Sequence, residues 1–461
     1  MNFLYAAIAG LISSTAFEPV SFWPSAFIGL MIWYFLLIKL NLRNRVYISY
    51  IFGLGVLLPV QQWTGIYVGN LPWLILCFAQ ATFFIFPAYL VGKKKKFNQL
   101  VFALSFVVVE LLLRTVPFTG FGWSRLSFTQ LDGPLQFLYS GGGVVLVAFF
   151  IALISSVKSV FNLIVIFLII GGLSLLPRIE ITKEKSSVAL VQGGVVNLGL
   201  DFNSKPKEVF LRHLKQTSTS VKASQVDLVI WPENAVDIDV NTNAEVKNLI
   251  SNQSAFLMTP LLVGGITRSG ADLFNRSYLF DPEITQVYSK RYLTPFGEYL
   301  PVRTVASKVS NYANQITDFK AGVDDTKFKI KDATFQTLIC YELINDIFRD
   351  QISENFLVIQ TNNATFGNTA QLDQQFNIAR VRAMETGRYI AYVSTTGTTA
   401  FIDNRGKVID KLTKFKPATL FGEVTHVEKR TYTQIYGKFL EYLAGAGLLA
   451  IIFYRRWGRN W

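Results

Sequence analysis

The sequence predicts a multi-pass α-helical membrane domain joined to an extracytoplasmic α/β domain, and three observations carry that prediction. Of 461 residues, 51% are hydrophobic and 14% aromatic against only 16% charged, with a mean hydropathy of +0.34, which is too apolar for an ordinary soluble chain. The apolar residues gather into stretches near 3–17, 25–40, 47–64, 71–92, 98–113, 134–157, 159–177 and 438–454. Each is about long enough, or nearly so, to cross a hydrocarbon core of about 30 Å as a helix. Between 182 and 430 the pattern changes to short apolar runs separated by Asn, Asp, Lys, Gly and Pro, a length sufficient for one domain with its own core. The predicted organisation is seven spans in 1–181, a soluble α/β domain in 182–430, and a last span with its tail in 431–461.

The first stretch has no basic flank and more spans follow it, so it reads as a retained helix rather than a signal peptide. Lys and Arg in short loops stay on the cytoplasmic side. With the amino terminus inside, alternation places Lys39, Arg43 and Arg45, the run Lys93 to Lys96, Lys158, and the tail Arg455, Arg456 and Arg459 all in the cytoplasm. The seventh span then delivers 182–430 to the outside. The net charge of +13 therefore lies largely beside the membrane, which points to anionic headgroups and not to nucleic acid. Only His213 and His426 and the distant cysteines Cys77 and Cys340 are present, so no metal-ligand spacing exists and no metal or cofactor is expected. Gly141 to Gly143 lie inside a span, where small residues permit close helix contact.

The soluble part begins as SSVALVQGG, an amphipathic KPKEVFLRHLKQTSTS, VDLVIWPEN, AEVKNLISNQ and LLVGGITR. It continues with FNRSYLFD and TQVYSKRYL as a hairpin, TFQTLICYE, NDIFRDQISE, FLVIQTNN, a long helix over QLDQQFNIARVRAMETG, and YIAYVSTTGTTAFID. Continuous apolar runs alternating with helical-period stretches indicate buried strands covered by helices. Three reactive side chains each follow such a run: Glu233 after VDLVIWP, Lys290 after TQVYS and Cys340 after TFQTLI. Sites in layered sheets gather at that edge.

A thiol has an ordinary pKa near 8.5 and needs a base or a cation to become a nucleophile. Glu233 can take its proton, and Lys290 can stabilise both thiolate character and a developing oxyanion. Taken singly, a cysteine ending a strand is more often inert core than nucleophile. A glutamate after Trp-Pro is usually a solvated loop acid, and Lys290 beside Arg291 reads equally as an edge-strand charge. His213, in a polar helix, and His426, near the return to the membrane, are poorly placed for Cys–His catalysis.

Together, Cys340-Tyr341-Glu342, Trp231-Pro232-Glu233 and the block KRYLTPFGEYLP over 290–301 resemble the nitrilase (carbon–nitrogen hydrolase) superfamily. More specifically they resemble the apolipoprotein N-acyltransferase family. FTGFGWSRLSF over 118–128 is similar to an aromatic loop of that family, and Ala16-Phe17-Glu18-Pro19 to its amino-terminal turn. The resemblance implies a nitrilase-like αββα sandwich in a bacterial plasma membrane enzyme, with Glu233 as general base, Lys290 as oxyanion stabiliser and Cys340 as acyl-accepting nucleophile. Glu298, Tyr341 and Glu342 would support them. Gln371, Arg380, Arg382, Ala383, Glu385, Gly387 and Arg388 continue it along a helix, for which a charged surface with an apolar underside is an equally good account. The family commonly shows Asp-Ala-Trp-Phe-Gly, whereas this chain has Asn362-Asn363-Ala364-Thr365-Phe366-Gly367, a departure that bears on loop packing and on lipid-substrate preference.

The implied reaction moves a fatty acyl chain from a membrane phospholipid through a Cys340 thioester to the α-amino group of an apolipoprotein's diacylglyceryl-cysteine. Phe118, Phe121 and Trp123 would then suit the outer interface. A membrane-anchored amidohydrolase with the same triad is one alternative; eight spans are more membrane than a tether needs. A non-catalytic transporter or sensor is the other, with Glu110 in VVVELLL as its main intramembrane candidate.

Overall fold

The computed structural model describes residues 1–93, 95–175, 179–199, 202–301, 303–304 and 317–457; Lys94, Arg459 and the end of the seventh apolar stretch fall outside them. The chain divides into two compact units, Met1–Arg178 with Thr431–Trp461, and Ile179–Arg430.

Every apolar stretch of the first unit is helical: Asn2–Ser14, Pro24–Lys39, Leu42–Val60, Asn70–Ala81, Asn98–Thr115, Leu138–Ser156, Val160–Ser174 and Tyr432–Trp457. Asn70–Leu90, Asn98–Thr115, Leu138–Ser156 and Tyr432–Trp457 are long and apolar enough to cross a membrane, whereas Asn2–Ser14, Pro24–Lys39 and Val160–Ser174 are shorter apolar helices. Helix Leu42–Val60 carries Arg43 and Arg45 in its first turn. Small residues let these helices meet: a Cβ on Gly55 would stand 2.9 Å from the Cα of Gly10, so the first and third helices touch through backbone.

Several buried polar groups of this unit pair with one another, as an apolar surrounding favours. Gln61 Nε2 donates to Gln80 Oε1 (2.7 Å) and Ser124 Oγ (3.0 Å). Glu110, the intramembrane acid, accepts from the backbone N–H of Ser127 at 2.9 Å. It is hydrogen-bonded within the bundle, as a buried acid requires. Trp123 is buried, packed on Trp63 at 4.8 Å and stacked on Phe121 at 6.0 Å. Of the aromatic trio expected at an interface, Phe118 is exposed and Trp123 instead holds its own loop together.

The second unit contains two six-stranded sheets. The first has strands β1 (Lys185–Gln192), β2 (Leu228–Ile230), β3 (Leu261–Ser269), β4 (Asp272–Phe280), β5 (Ile284–Ser289) and β12 (Ala418–Thr425) in the order β12-β1-β2-β3-β4-β5. The second has β6 (Phe328–Ile330), β7 (Ala333–Ile339), β8 (Phe356–Thr361), β9 (Ile390–Ser394), β10 (Ala400–Ile402) and β11 (Val408–Lys411) in the order β11-β10-β9-β8-β7-β6.

Strand alternation builds the layers. Val188 and Leu190 of β1 face the second sheet and pack with Phe335, Phe356 and Val358 in one core. Ala189 and Val191 face the other way, onto Phe210, Val246 and Ile250 of helices Glu208–Ser220 and Ala244–Leu257. Helix Gln371–Thr386 lies over the second sheet, with Phe376 against Tyr392 at 5.3 Å. The result is the expected αββα sandwich, with both sheets buried on both faces, which is why their central strands are continuous apolar runs. The stretch YIAYVSTTGTTAFID is not one strand: it breaks at 395–399 and returns as the antiparallel pair β9 and β10.

Candidate active site

Parallel pairing sets where the reactive residues emerge. β1, β2 and β3 run together, and β5 rejoins their direction after two antiparallel turns. β7, β8 and β9 run parallel in the other sheet. Glu233 and Lys290 therefore leave carboxyl ends of the first sheet, and Cys340, Asn362 and Thr395 those of the second. A hydrogen bond from the Asn362 N–H to Glu233 Oε2 (2.8 Å) joins the two edges. Close packing behind Glu233 is possible because Gly264 has no side chain; a Cβ there would stand 2.5 Å from the Pro232 carbonyl oxygen.

Lys290 is 1% exposed, and two carboxylates neutralise it. Its Nζ lies 2.7 Å from Glu298 Oε2 and 3.7 Å from Glu233 Oε1. Asn275, on β4, spans both acids, donating through Nδ2 to Glu233 Oε1 (2.7 Å) and Glu298 Oε1 (2.8 Å). The Thr294 N–H donates to Glu298 Oε2 (2.8 Å). Burial pushes the Lys290 pKa down, but the charges of Glu298 and Glu233 outweigh it, so the ammonium is held protonated.

The two acids are pushed in opposite directions. Burial raises Glu233, and Glu298 raises it further, against the pull of Lys290. Glu298 is equally buried, yet Lys290 and its donors hold it below the usual carboxylate range. Separated acidities of this kind set paired acids apart: Glu298 makes the short ion pair with Lys290, and Glu233 is the weaker acid of the two.

Cys340 ends β7 with φ 49°, a left-handed conformation that costs a non-glycine residue about 1–3 kcal/mol. The chain turns there into the short helix Cys340–Ile344, which places the half-buried Cys340 at the sheet edge. Glu342 fixes this turn. Its carboxylate accepts from the Ile339 N–H (2.9 Å), the Tyr288 hydroxyl (2.8 Å), and the N–H groups of Arg291 (2.8 Å) and Tyr292 (3.2 Å), tying the nucleophile turn to the segment that carries Lys290. Burial pushes its carboxyl up to about 6, against those donors. Tyr341 is buried within the same turn. Burial and the Glu233 charge push the Cys340 thiol up to about 12, with Lys290 opposing.

The structure thus brings Glu233, Lys290, Glu298, Cys340 and Glu342 into one connected constellation. Sequence reasoning missed Asn275, which lies inside β4, and Gln375, whose Nε2 donates to Cys340 Sγ at 3.4 Å from helix Gln371–Thr386. That helix is not a charged surface. Arg382 and Glu385 are buried; Arg382 donates to the carbonyls of Leu343 (2.8 Å) and Ile344 (3.0 Å), to Asp346 (2.7 Å), and to Glu385. These bonds anchor the end of the Cys340 turn. Arg382→Leu is expected to lower stability by about 1–3 kcal/mol, because it leaves buried Asp346 and Glu385 the longer contacts to Arg349, at 3.9 Å and 3.5 Å, and frees the Leu343 and Ile344 carbonyls, measurable as a reduced denaturation midpoint.

Comparison with known proteins shows the family. The family model described as Apolipoprotein N-acyltransferase N-terminal domain matches residues 9–157, and that described as Carbon-nitrogen hydrolase matches 187–432. The apolipoprotein N-acyltransferase of Mycolicibacterium smegmatis is 30% identical over 506 residues, covering 97% of this chain and 84% of that one. The chain belongs to the apolipoprotein N-acyltransferase family. It is an acyltransferase on the carbon–nitrogen hydrolase fold, and its apolar helices make it a membrane protein. The apolipoprotein N-acyltransferase of Haemophilus influenzae is 26% identical over 486 residues, covering 95% and 91%. Among solved structures, XC1258 from Xanthomonas campestris, a CN-hydrolase superfamily protein, is 18% identical with a TM-score of 0.41, covering 52% of this chain and 91% of that one. Among the described residues no His, Cys, Asp and Glu group is arranged to hold a metal ion.

Proposed function

We propose that this acyltransferase works by double displacement, with residues 182–430 as its catalytic domain and 1–181 and 431–461 as its membrane domain. The observation that carries the reading is the Lys290 ammonium held between Glu298 and a Glu233 whose acidity is weakened, beside Cys340.

Glu233 removes the thiol proton and Cys340 sulfur attacks an ester carbonyl of a membrane phospholipid. A C–S bond forms, the oxyanion faces Lys290, the C–O bond breaks, and the lysophospholipid alkoxide leaves with the proton that Glu233 returns. The α-amino group of an apolipoprotein's diacylglyceryl-cysteine then attacks the thioester. Glu233 takes the amine proton, the C–N bond forms, the C–S bond breaks, and the thiol is restored. Glu298, Tyr341 and Glu342 hold the charged groups and the turn in place. Alternation of the basic loops supports catalysis on the extracytoplasmic side, with several passes through the membrane.

The test supplies purified protein with phospholipid carrying a labelled acyl chain and a diacylated lipopeptide. Label appearing in an amide on the lipopeptide supports the reading. Label released only as free fatty acid makes water the acceptor and the protein a hydrolase; no turnover at all favours a sensor.

A further inference from the structure

Behind Cys340 a buried chain of amides and hydroxyls has no part in the acid–base chemistry described above. Its direction is set at one end by a group that can only donate. The Gly397 N–H donates to Ser394 Oγ (2.9 Å), and the Ser394 hydroxyl donates onward to Asn363 Oδ1 (2.7 Å). With its oxygen so placed, Asn363 Nδ2 donates to Gln375 Oε1 (2.8 Å) and Gln371 Oε1 (3.0 Å). Gln375 Oε1 also accepts from Gln371 Nε2 (3.0 Å) and Thr361 Oγ1 (3.2 Å). With the Asn363 and Gln371 amides donating to its oxygen, Gln375 turns Nε2 toward Cys340 Sγ at 3.4 Å. Thr361, Asn363, Gln371, Gln375 and Ser394 are all buried, so water does not compete, and the surrounding network decides which end of each amide faces which neighbour.

We propose that Gln375 is a hydrogen-bond donor to the ionised sulfur of Cys340, and that Asn363 is the positioning residue that fixes which end of the Gln375 amide faces it. The inference rests on Cys340 working as a thiolate. The titratable groups that act on the sulfur are Glu233 after β2, Lys290 after β5 and Tyr392 on β9. Of these only Lys290 favours the ionised sulfur, and its charge is already shared by Glu298 and Glu233. The Thr361 hydroxyl and the Gln375 amide supply further stabilising contacts that do not titrate in this range, and a charge-assisted hydrogen bond is stronger than its neutral counterpart.

The experiment is the rate of Cys340 alkylation by iodoacetamide in the full-length protein in detergent, from about pH 7 to about pH 10, below the midpoint of a thiol pushed up to about 12, where the rate follows the thiolate fraction. Mass analysis of the peptide carrying Cys340 separates it from Cys77. Gln375→Met keeps the length of the side chain and removes the donor. It is expected to slow alkylation about tenfold throughout that range without changing its slope against pH. Asn363→Leu, which removes one of the donors that orient Gln375, is expected to slow it by less. An unchanged rate in both, even with a lowered melting temperature, overturns the proposal and leaves the network a packing feature. Where Gln375→Met does not fold, Asn363→Leu decides alone: slower alkylation supports and an unchanged rate overturns. Alkylation reads the free sulfur and needs no acyl transfer, so slower alkylation in a chain that transfers no acyl group would uphold this inference while ending the proposed function.

Discussion

Glu233→Gln is expected to reduce acyl transfer by about 10²–10⁴-fold, the usual contribution of a positioned general base, while leaving the chain folded. The Cys340 thiol is pushed up to about 12, so little thiolate forms without a base. Glutamine matches glutamate in shape but must turn an NH₂ group toward either Asn275 Nδ2 or the Asn362 N–H, both of which donate to the native carboxylate. That mismatch adds about 1–3 kcal/mol of destabilisation. The pH profile separates chemistry from folding. The Glu233 carboxyl is raised by burial, so its base form accumulates only above the ordinary carboxylate range. Wild-type single-turnover rates should climb with pH through that raised value; the variant should lose this limb and keep only the climb due to the thiol itself.

Lys290→Met is expected to have the largest effect on both activity and stability. Lys290 is the cation beside Glu233 and Glu298, so its loss leaves two buried carboxylates facing each other, a defect that costs about 3–5 kcal/mol. Acyl transfer should become undetectable, because the oxyanion also loses its partner. The sign of the pH dependence identifies the cause. In the wild type Glu298 has a depressed pKa, so its contribution is present above the unfolded carboxylate pKa and lost as pH falls through the folded one. In Lys290→Met both carboxyls are raised, so this site is more stable at low pH and loses stability as pH rises through their folded values. Thermal melts of the two proteins across the acid range should therefore have opposite contributions from Glu298, while Glu233 is raised in both.

The strands that line the site were legible because each is buried on both faces and reads as an uninterrupted apolar run. β2 ends in Trp231-Pro232-Glu233 and β7 in Cys340, and both chemical residues stand where a run stops. β6 and β11 were not legible: Phe328–Ile330 is three residues long and Val408–Lys411 is largely exposed, too short or too polar for a period to show. β12 also escaped, although its pairing with β1 closes the first sheet's edge, since Gly422 interrupts its pattern to make room for the Phe401 ring. Asn275 and Gln375 were invisible for a different reason. Each is an ordinary polar residue inside an apolar-periodic element, and its meaning lies in partners brought from other strands. The burial of Arg382 and Glu385 has the same origin: an arginine and a glutamate three apart on a helix read as a solvated pair until Asp346 and the carbonyls of Leu343 and Ile344 are placed against them.

The measurement that bears most directly on the central claim is the intact mass of the protein after incubation with phospholipid and no acceptor, beside Cys340→Ala. The mechanism predicts one added fatty-acyl mass, removed by hydroxylamine, mapped to the peptide carrying Cys340, and absent from the variant. A folded wild-type protein that gains no acyl mass from any phospholipid, or gains it equally in Cys340→Ala, would contradict transfer through this cysteine.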